Sequence, residues 1–208
     1  MFARSSTIQA QLSSMDAGIA YMRDDVMSEL SDIPGWVGMS LLVDRSSGRC
    51  IVTTAWETEQ ALHDSSSRVR SIRDRAAQMF GSDGSTLVEE WEIAALHRNH
   101  HASEGSCVRA AWVRNAPERL DAAIELYKSA ALPGMEELDG FCSASLMVDR
   151  SSGRGVSCVT FDNAEAMARN ADRSADMRAS IAGRTGSEVT EVREFELALA
   201  HLRVPELV

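Results

Sequence analysis

Val43-Asp44-Arg45-Ser46-Ser47-Gly48-Arg49 returns without change as Val148-Asp149-Arg150-Ser151-Ser152-Gly153-Arg154, 105 residues further along the chain. At roughly one chance in twenty per position, seven consecutive matches arise about once in 10^9 comparisons, and a chain of this length offers only about 10^4. The same offset pairs Asp16-Ala17 with Asp121-Ala122, Ile19 with Ile124, Gly35-Trp36 with Gly140-Phe141 and Trp56 with Phe161. After a one-residue deletion, Trp91-Glu92-Ile93-Ala94 meets Phe195-Glu196-Leu197-Ala198. The chain reads as a tandem duplication, and a period this long makes each copy a whole small domain rather than a solenoid repeat. The polar stretch Asn99 to Ser106 reads as a linker, so the expected organisation is residues 1–98, a linker over 99–106, and residues 107–208.

Within a copy the hydrophobic periods name the elements. Thr7 to Leu12 reads as a strand, and Ile19, Met22, Val26 and Leu30 fall at helical spacing behind the capping residues Ser14 and Asp16. Trp36 to Val43 and Arg49 to Trp56 are apolar, β-branched runs joined by Asp-Arg-Ser-Ser-Gly, a hairpin with glycine where φ turns positive. Thr58 to Phe80 carries a second apolar stripe, and Thr86 to Ala94 is a last strand. The second copy repeats the order, with Pro117 in a first helical turn and Pro133-Gly134 expected to stop that helix early. Each copy is thus β-α-β-β-α-β, an α+β ferredoxin-like half.

A four-stranded sheet covered by helices on one face should alternate apolar and polar side chains. Trp36 to Val43 and Cys50-Ile51-Val52 are apolar on both faces. Leaving four such side chains per copy in water forfeits roughly 1.5–3 kcal/mol each, against a net domain stability of about 5–15 kcal/mol. A covering sheet is needed, and the sibling copy is the nearest one at high effective concentration. The expected fold is two ferredoxin-like halves packed sheet to sheet as an intrachain pseudo-dimeric α/β barrel.

The 208 residues carry 21 basic and 31 acidic side chains, a net charge of −10 that argues against nucleic acid or an anionic membrane as partner. Four cysteines without a C-x-x-C pair suit a reducing compartment, and no signal-like or 18-residue apolar segment occurs, so a cytoplasmic address is expected.

Ile33-Pro34-Gly35-Trp36-Val37-Gly38-Met39, followed by Thr54-Ala55-Trp56-Glu57-Thr58, resembles the antibiotic biosynthesis monooxygenase-like group of the dimeric α/β barrel superfamily, where Pro-Gly-Phe/Trp opens strand two and Trp-Glu-Ser/Thr starts helix two. The resemblance covers nearly all of both halves, the second diverging to Leu138-Asp139-Gly140-Phe141 and Phe161-Asp162-Asn163. It implies a closed barrel with a small apolar pocket between sheet and helices in each half. It also implies a range of activities: cofactor-free oxygenation of polyketide-type aromatics, quinol oxygenation or haem degradation. Haem degraders of this group place an Asn in strand one and an iron-binding His in helix two. Here the strand position is Thr7 or Trp112, and no His occurs over 64–80 or 164–182, so no haem and no other cofactor is expected.

The partner implied is a small apolar or aromatic molecule, with the halves pairing intramolecularly and further homo-oligomerisation left open. Cofactor-free oxygenation needs a general base in a dry pocket. His63, early in helix two, has a suitable intrinsic pKa, or is an exposed residue about 100° off the apolar stripe. Trp36, Trp56 and Trp91 are candidate walls of an aromatic pocket, or pack in the core and between the halves, a reading that suits Trp56 best. Asn170 and Ser174 interrupt the stripe Met167, Met177, Ile181, where a buried polar group needs a local partner or a ligand. His97, His100 and His101 lie near or in the linker and read as no metal site, and Glu89, Glu90, Glu92, Glu191, Glu194 and Glu196 read as the solvated face of an edge strand. The repeated Asp-Arg-Ser-Ser-Gly-Arg loop reads as turn chemistry alone.

Overall fold

Strand β1 (Phe2–Gln9) begins five residues before its apolar signal. Ala3, Arg4, Ser5 and Ser6 are all buried, because both faces of the strand are covered; Arg4 bonds to Glu90 and Ser5 accepts from Trp91. In the computed structural model, which describes residues 1–202 and 204–208 with Leu202 by its backbone alone, β1 is followed by helix α1 (residues 12–31), β2 (Trp36–Val43), β3 (Arg49–Trp56), α2 (Glu59–Asp64), α3 (Ser66–Met79) and β4 (Thr86–Arg98). The second half runs β5 (Cys107–Arg114), α4 (residues 117–136), β6 (Phe141–Asp149), β7 (Arg154–Phe161), α5 (Ala164–Arg169), α6 (Ala171–Thr185) and β8 (Glu188–Leu202). Both halves are β-α-β-β-α-β, and the strands are hydrogen-bonded in the order β1-β3-β2-β8-β5-β7-β6-β4 as a closed antiparallel barrel. Among the described residues no helix is long and apolar enough to cross a membrane.

Two local expectations need correction. Pro133-Gly134 does not end α4, which continues to Glu136. The preceding turn, Tyr127–Ala131, is π-helical, and Pro133 falls in the first turn of the α-segment that restarts after it, where a missing N–H costs least. The matching turn Met22–Val26 in α1 is π-helical without any proline, so the widened turn belongs to both halves. The expected long second helices are each broken in two, at Ser65 and at Asn170. There the Ser65 hydroxyl donates to the Leu62 carbonyl (2.7 Å) and the Asn170 amide to the Ala166 carbonyl (2.8 Å), side-chain bonds that compete with the backbone ladder. At the start of these helices, Thr58 and Asn163 accept from the backbone N–H groups of Ala61 (3.0 Å) and Ala166 (2.9 Å) as matched N-caps.

Two compact units divide the chain: Met1–Trp91 with Glu196–Val204, and Glu92–Phe195 with Pro205–Val208. The cuts fall inside β4 and β8 at paired positions, Trp91/Glu92 and Phe195/Glu196. In the first unit the end of β8 pairs antiparallel with β2, from Val43↔Glu196 to Gly38↔Leu202. In the second the end of β4 pairs with β6, from Glu92↔Val148 to Arg98↔Ser143. The glutamates of these strands therefore lie on no open edge. Arg4 meets Glu90 and Arg109 meets Glu194, while Arg45 bridges Asp16 and Glu196 as Arg150 bridges Asp121 and Glu92. The repeated loop does more than turn: its arginine ties the start of the exchanged strand end to the first turn of α1 or α4. One core gathers Met22, Leu30, Leu41, Trp56 and Phe80 between sheet and helices of the first unit, and a second gathers Ile124, Tyr127, Leu146, Phe141 and Met167 in the other.

Candidate functional site

Sheet residues that face the helices alternate along each strand. In the second unit Arg109, Ala111 and Val113 of β5 and Gly155, Ser157 and Val159 of β7 point at α4 and α6 and bound a cavity of about 100 Å³. The equivalent space in the first unit, bounded by Arg4, Ser6 and Ile8 of β1, is about 30 Å³.

Residue pairs at the repeat offset account for the difference. Phe80, fully buried, lies directly against Gly18, where an added Cβ would run into its ring. Its counterpart is Thr185, which lines the larger cavity. Cys50, Val52 and Val69 correspond to Gly155, Ser157 and Ser174, each smaller or polar, and all three line that cavity. The first half is filled by side chains and the second is left open by their removal.

The walls are mostly apolar, and the polar groups among them are few. Tyr127 replaces Met22; its hydroxyl lies 3.2 Å from the Ser145 carbonyl and 3.2 Å from Ser157 Oγ, and burial pushes its pKa up. Arg109, only 5% exposed, donates from Nε to Glu194 (3.0 Å) and from Nη2 to Glu194 (2.6 Å) and to the Met167 carbonyl (2.9 Å), with its guanidinium 5.8 Å from the centre of the Phe161 ring. Its Nη1 is buried with no hydrogen-bond partner, and so is the hydroxyl of Ser174. Arg178 lines the same space, and burial first and then the charge of Arg109 pull its pKa down, with Glu194 opposing. Among the described residues no carboxylate and no histidine lines the cavity. Asn115, Thr185 and Ser187 form a chain of hydrogen bonds, in which Ser187 donates to Asn115 Oδ1 at 2.5 Å and pairs with Thr185.

The structure does not bring the sequence candidates together. His63 sits half exposed on α2, 3.5 Å from Glu90, and lines neither cavity. Trp91 is buried with its indole N–H donating to Ser5 Oγ at 2.9 Å, on the sheet face turned away from the helices. Trp56 is core, bonded to Thr54 Oγ1 at 3.1 Å. Asn170 spends its amide on the break between α5 and α6, donating to Asp139 O (2.9 Å) and Ala166 O, and does not line the cavity; Ser174, one turn on, does. Trp36 borders an open polar cleft of about 600 Å³ and stacks on His201, ring centroids 5.7 Å apart, with its buried indole N–H unpartnered. His97 lies on β4, stacks on Phe141 at 6.3 Å and pairs with Glu136 at 2.8 Å.

His100 Nε2 and Cys142 Sγ lie 2.7 and 3.2 Å from Asp162 Oδ1, a trio of ligand-type side chains drawn from three segments. Burial, with the bond to Asp162, pushes the Cys142 thiol up to about 12, so the trio is closed by its own hydrogen bonds and a metal ion would have to displace that proton.

Arg109, Tyr127 and the residues opposite Phe80, Cys50 and Val52, which are Thr185, Gly155 and Ser157, gave no signal in the sequence, whereas Ser174 did. A buried arginine in a strand resembles a strand end, whereas a position-by-position comparison of the two copies would have shown the cavity.

No family model matches the sequence. It is similar to two uncharacterized proteins of Mycobacterium tuberculosis strain H37Rv. Rv2557 is 58% identical over 208 residues, spanning all of this chain and 92% of the relative; Rv2558 is 57% identical over 209 residues, spanning all of this chain and 88% of the relative. Among solved structures, a proposed monooxygenase of Lactobacillus acidophilus superposes with a TM-score of 0.70 at 10% identity, over 97% of this chain and 96% of that one. An anthrone oxidase-like protein gives 0.63 at 13% identity over 100% and 94%. A heme-degrading enzyme of Listeria monocytogenes gives 0.56 at 10% over 95% and 99%. At these identities the likeness is one of fold.

Proposed function

The chain belongs to one family with these two mycobacterial proteins and has a monooxygenase-like fold, and we propose that it is a small-molecule-binding protein whose ligand occupies the cavity of the second unit. The observation that carries this reading is the contrast within one molecule: the same space is packed with side chains in the first half and emptied in the second. Cavities cost stability in proportion to their volume, so an open one lined by Gly155, Ser157, Ser174 and Thr185 is accounted for by an occupant. An apolar cavity of about 150 Å³ holds benzene. A space of about 100 Å³ therefore suits a single ring or a short branched chain, and a fused-ring polyketide would require α6 to move.

A second reading, cofactor-free oxygenation of a small phenol or quinol, is favoured by the mostly apolar lining of the cavity, which would shelter an electron-rich anion from water. It lacks a base on the cavity wall, so the substrate would have to enter already deprotonated. Calorimetric titration with single-ring and short-chain compounds, in parallel with oxygen uptake, tests both. Binding that disappears in an Ala123→Gly/Thr185→Phe variant, which rebuilds the first half's plug, is the expected result. Binding unchanged by the plug overturns the cavity assignment, and binding without oxygen uptake removes the enzymatic reading.

A further inference from the structure

The two halves treat the same buried arginine differently. Arg4, 4% exposed, has every nitrogen engaged: Nε and Nη2 on Glu90 (3.0 and 2.7 Å), Nη2 also on the Leu62 carbonyl (2.9 Å) and Ser66 Oγ (2.9 Å), and Nη1 on Ser65 Oγ (3.2 Å). The residues matching Ser65 and Ser66 are Asn170 and Ala171. Asn170 has turned to Asp139 and Ala166, and alanine has nothing to offer, so Arg109 keeps Glu194 and the Met167 carbonyl and loses both hydroxyls.

Leaving a buried charged donor unmet costs more than the net worth of the bond it replaces. Here the unmet Nη1 is joined by a second orphan, the Ser174 hydroxyl, which stands where the first half has Val69. Both groups line the open cavity, and Arg178 adds a further cation to the same wall. The facing groups from the remaining elements include Tyr127 of α4, Ser157 of β7 and Thr185 of α6, all uncharged; the carboxylate paired with Arg109, Glu194, is half exposed. Two guanidinium groups, one partly neutralised, thus face an apolar space with no anion in its lining.

Resting on the reading that this cavity binds a ligand, we infer that the ligand is a small apolar body bearing one oxyanion, a carboxylate or a phenolate, received by Arg109 Nη1 and the Ser174 hydroxyl. A charged oxygen answers both orphans at once, the arginine through a charge-assisted bond and the serine as a second donor. A neutral oxygen acceptor of the same shape would meet the arginine nitrogen without answering its charge, and a hydrocarbon would leave it unmet.

The test is titration of the full chain with matched probes: benzoate against benzamide and toluene, and 4-nitrophenolate against nitrobenzene, followed by calorimetry and by amide shifts around Ser174. The anions are expected to bind at least tenfold more tightly than their neutral partners. Ser174→Ala is expected to lower that preference about tenfold, and Arg109→Lys to lower it further, while affinity for toluene stays within a factor of two or three. Which anion binds better separates carboxylate from phenolate. Equal affinity for charged and neutral probes overturns the oxyanion inference and leaves the cavity reading intact. No binding by any probe, with shifts identical in wild type and in Ala123→Gly/Thr185→Phe, overturns the cavity reading itself.

Discussion

The first half closes the space between sheet and helices with Phe80, Cys50, Val52 and Val69, whereas the second leaves Thr185, Gly155, Ser157 and Ser174 around a void about three times larger. The backbone elements correspond one to one, down to the π-helical turns at Met22–Val26 and Tyr127–Ala131. The fold therefore tolerates either state, and a handful of side chains decides which half is scaffold and which is receptor. The arginines point the same way: Arg4 is a satisfied structural group, and Arg109 has been stripped of two partners without being replaced.

The sharpest way to break this contrast is to open the first half. Phe80→Ala should cost about 3–5 kcal/mol in denaturant unfolding, since a fully buried aromatic is lost from a packed core. Thr185→Ala at the matched position should cost under about 1 kcal/mol. Comparable losses at the two sites would mean that the two spaces do not differ as described. A step smaller is the pair of carboxylates. Glu194→Ala leaves Arg109 with one protein partner and should destabilise by roughly 1–3 kcal/mol, discounted from a fully buried pair because Glu194 is half exposed. Glu90→Ala should cost less, because Ser65, Ser66 and the Leu62 carbonyl remain on Arg4; urea midpoints of the two variants give the order. Ser174→Val imports the first half's residue, removes a buried unpaired hydroxyl and should stabilise the unliganded protein by about 1 kcal/mol while weakening anion binding.

The smallest effect is one in which the halves should agree. Hydrogen bonds from Ser46 and Ser47 lower Asp44 to about 2. Asp149 is also lowered to about 2, burial opposing and the bonds from Ser151 and Ser152 prevailing. Carboxylates with depressed native pKa values add stability above their unfolded value near 4, and lose it as pH falls toward 2. Thermal unfolding followed over that window should fall more steeply in wild type than in Asp44→Asn/Asp149→Asn, with each single variant contributing a similar share.

Strand count, order within a half and the need for a second covered face were legible, because a strand that is apolar on both sides, such as Trp36 to Val43, is stable only with both sides out of water. What misled was polarity that the fold satisfies internally. Arg4 and Ser5 look like a loop until Glu90, Trp91 and α2 are seen to partner them. Pro133 looks like a stop until the π-turn before it takes up its geometry. At the site, Ser174 stood out as polar on an apolar stripe, but Asn170 beside it was consumed by a helix break, and Arg109 gave no local signal because its role is defined by partners it lacks. His63 drew notice for its chemistry alone, which says nothing about where a side chain points.

The strands that end one half's sequence complete the other half's unit. Were the gene divided between β4 and β5, the N-terminal product would keep β2 without the segment that pairs along it, and the C-terminal product would keep β6 equally bare. Each fragment would expose a sticky row of amides and carbonyls until it found its counterpart or a twin. Carrying both halves on one chain keeps each strand end beside the strand it completes, which leaves the side chains of the two halves free to diverge.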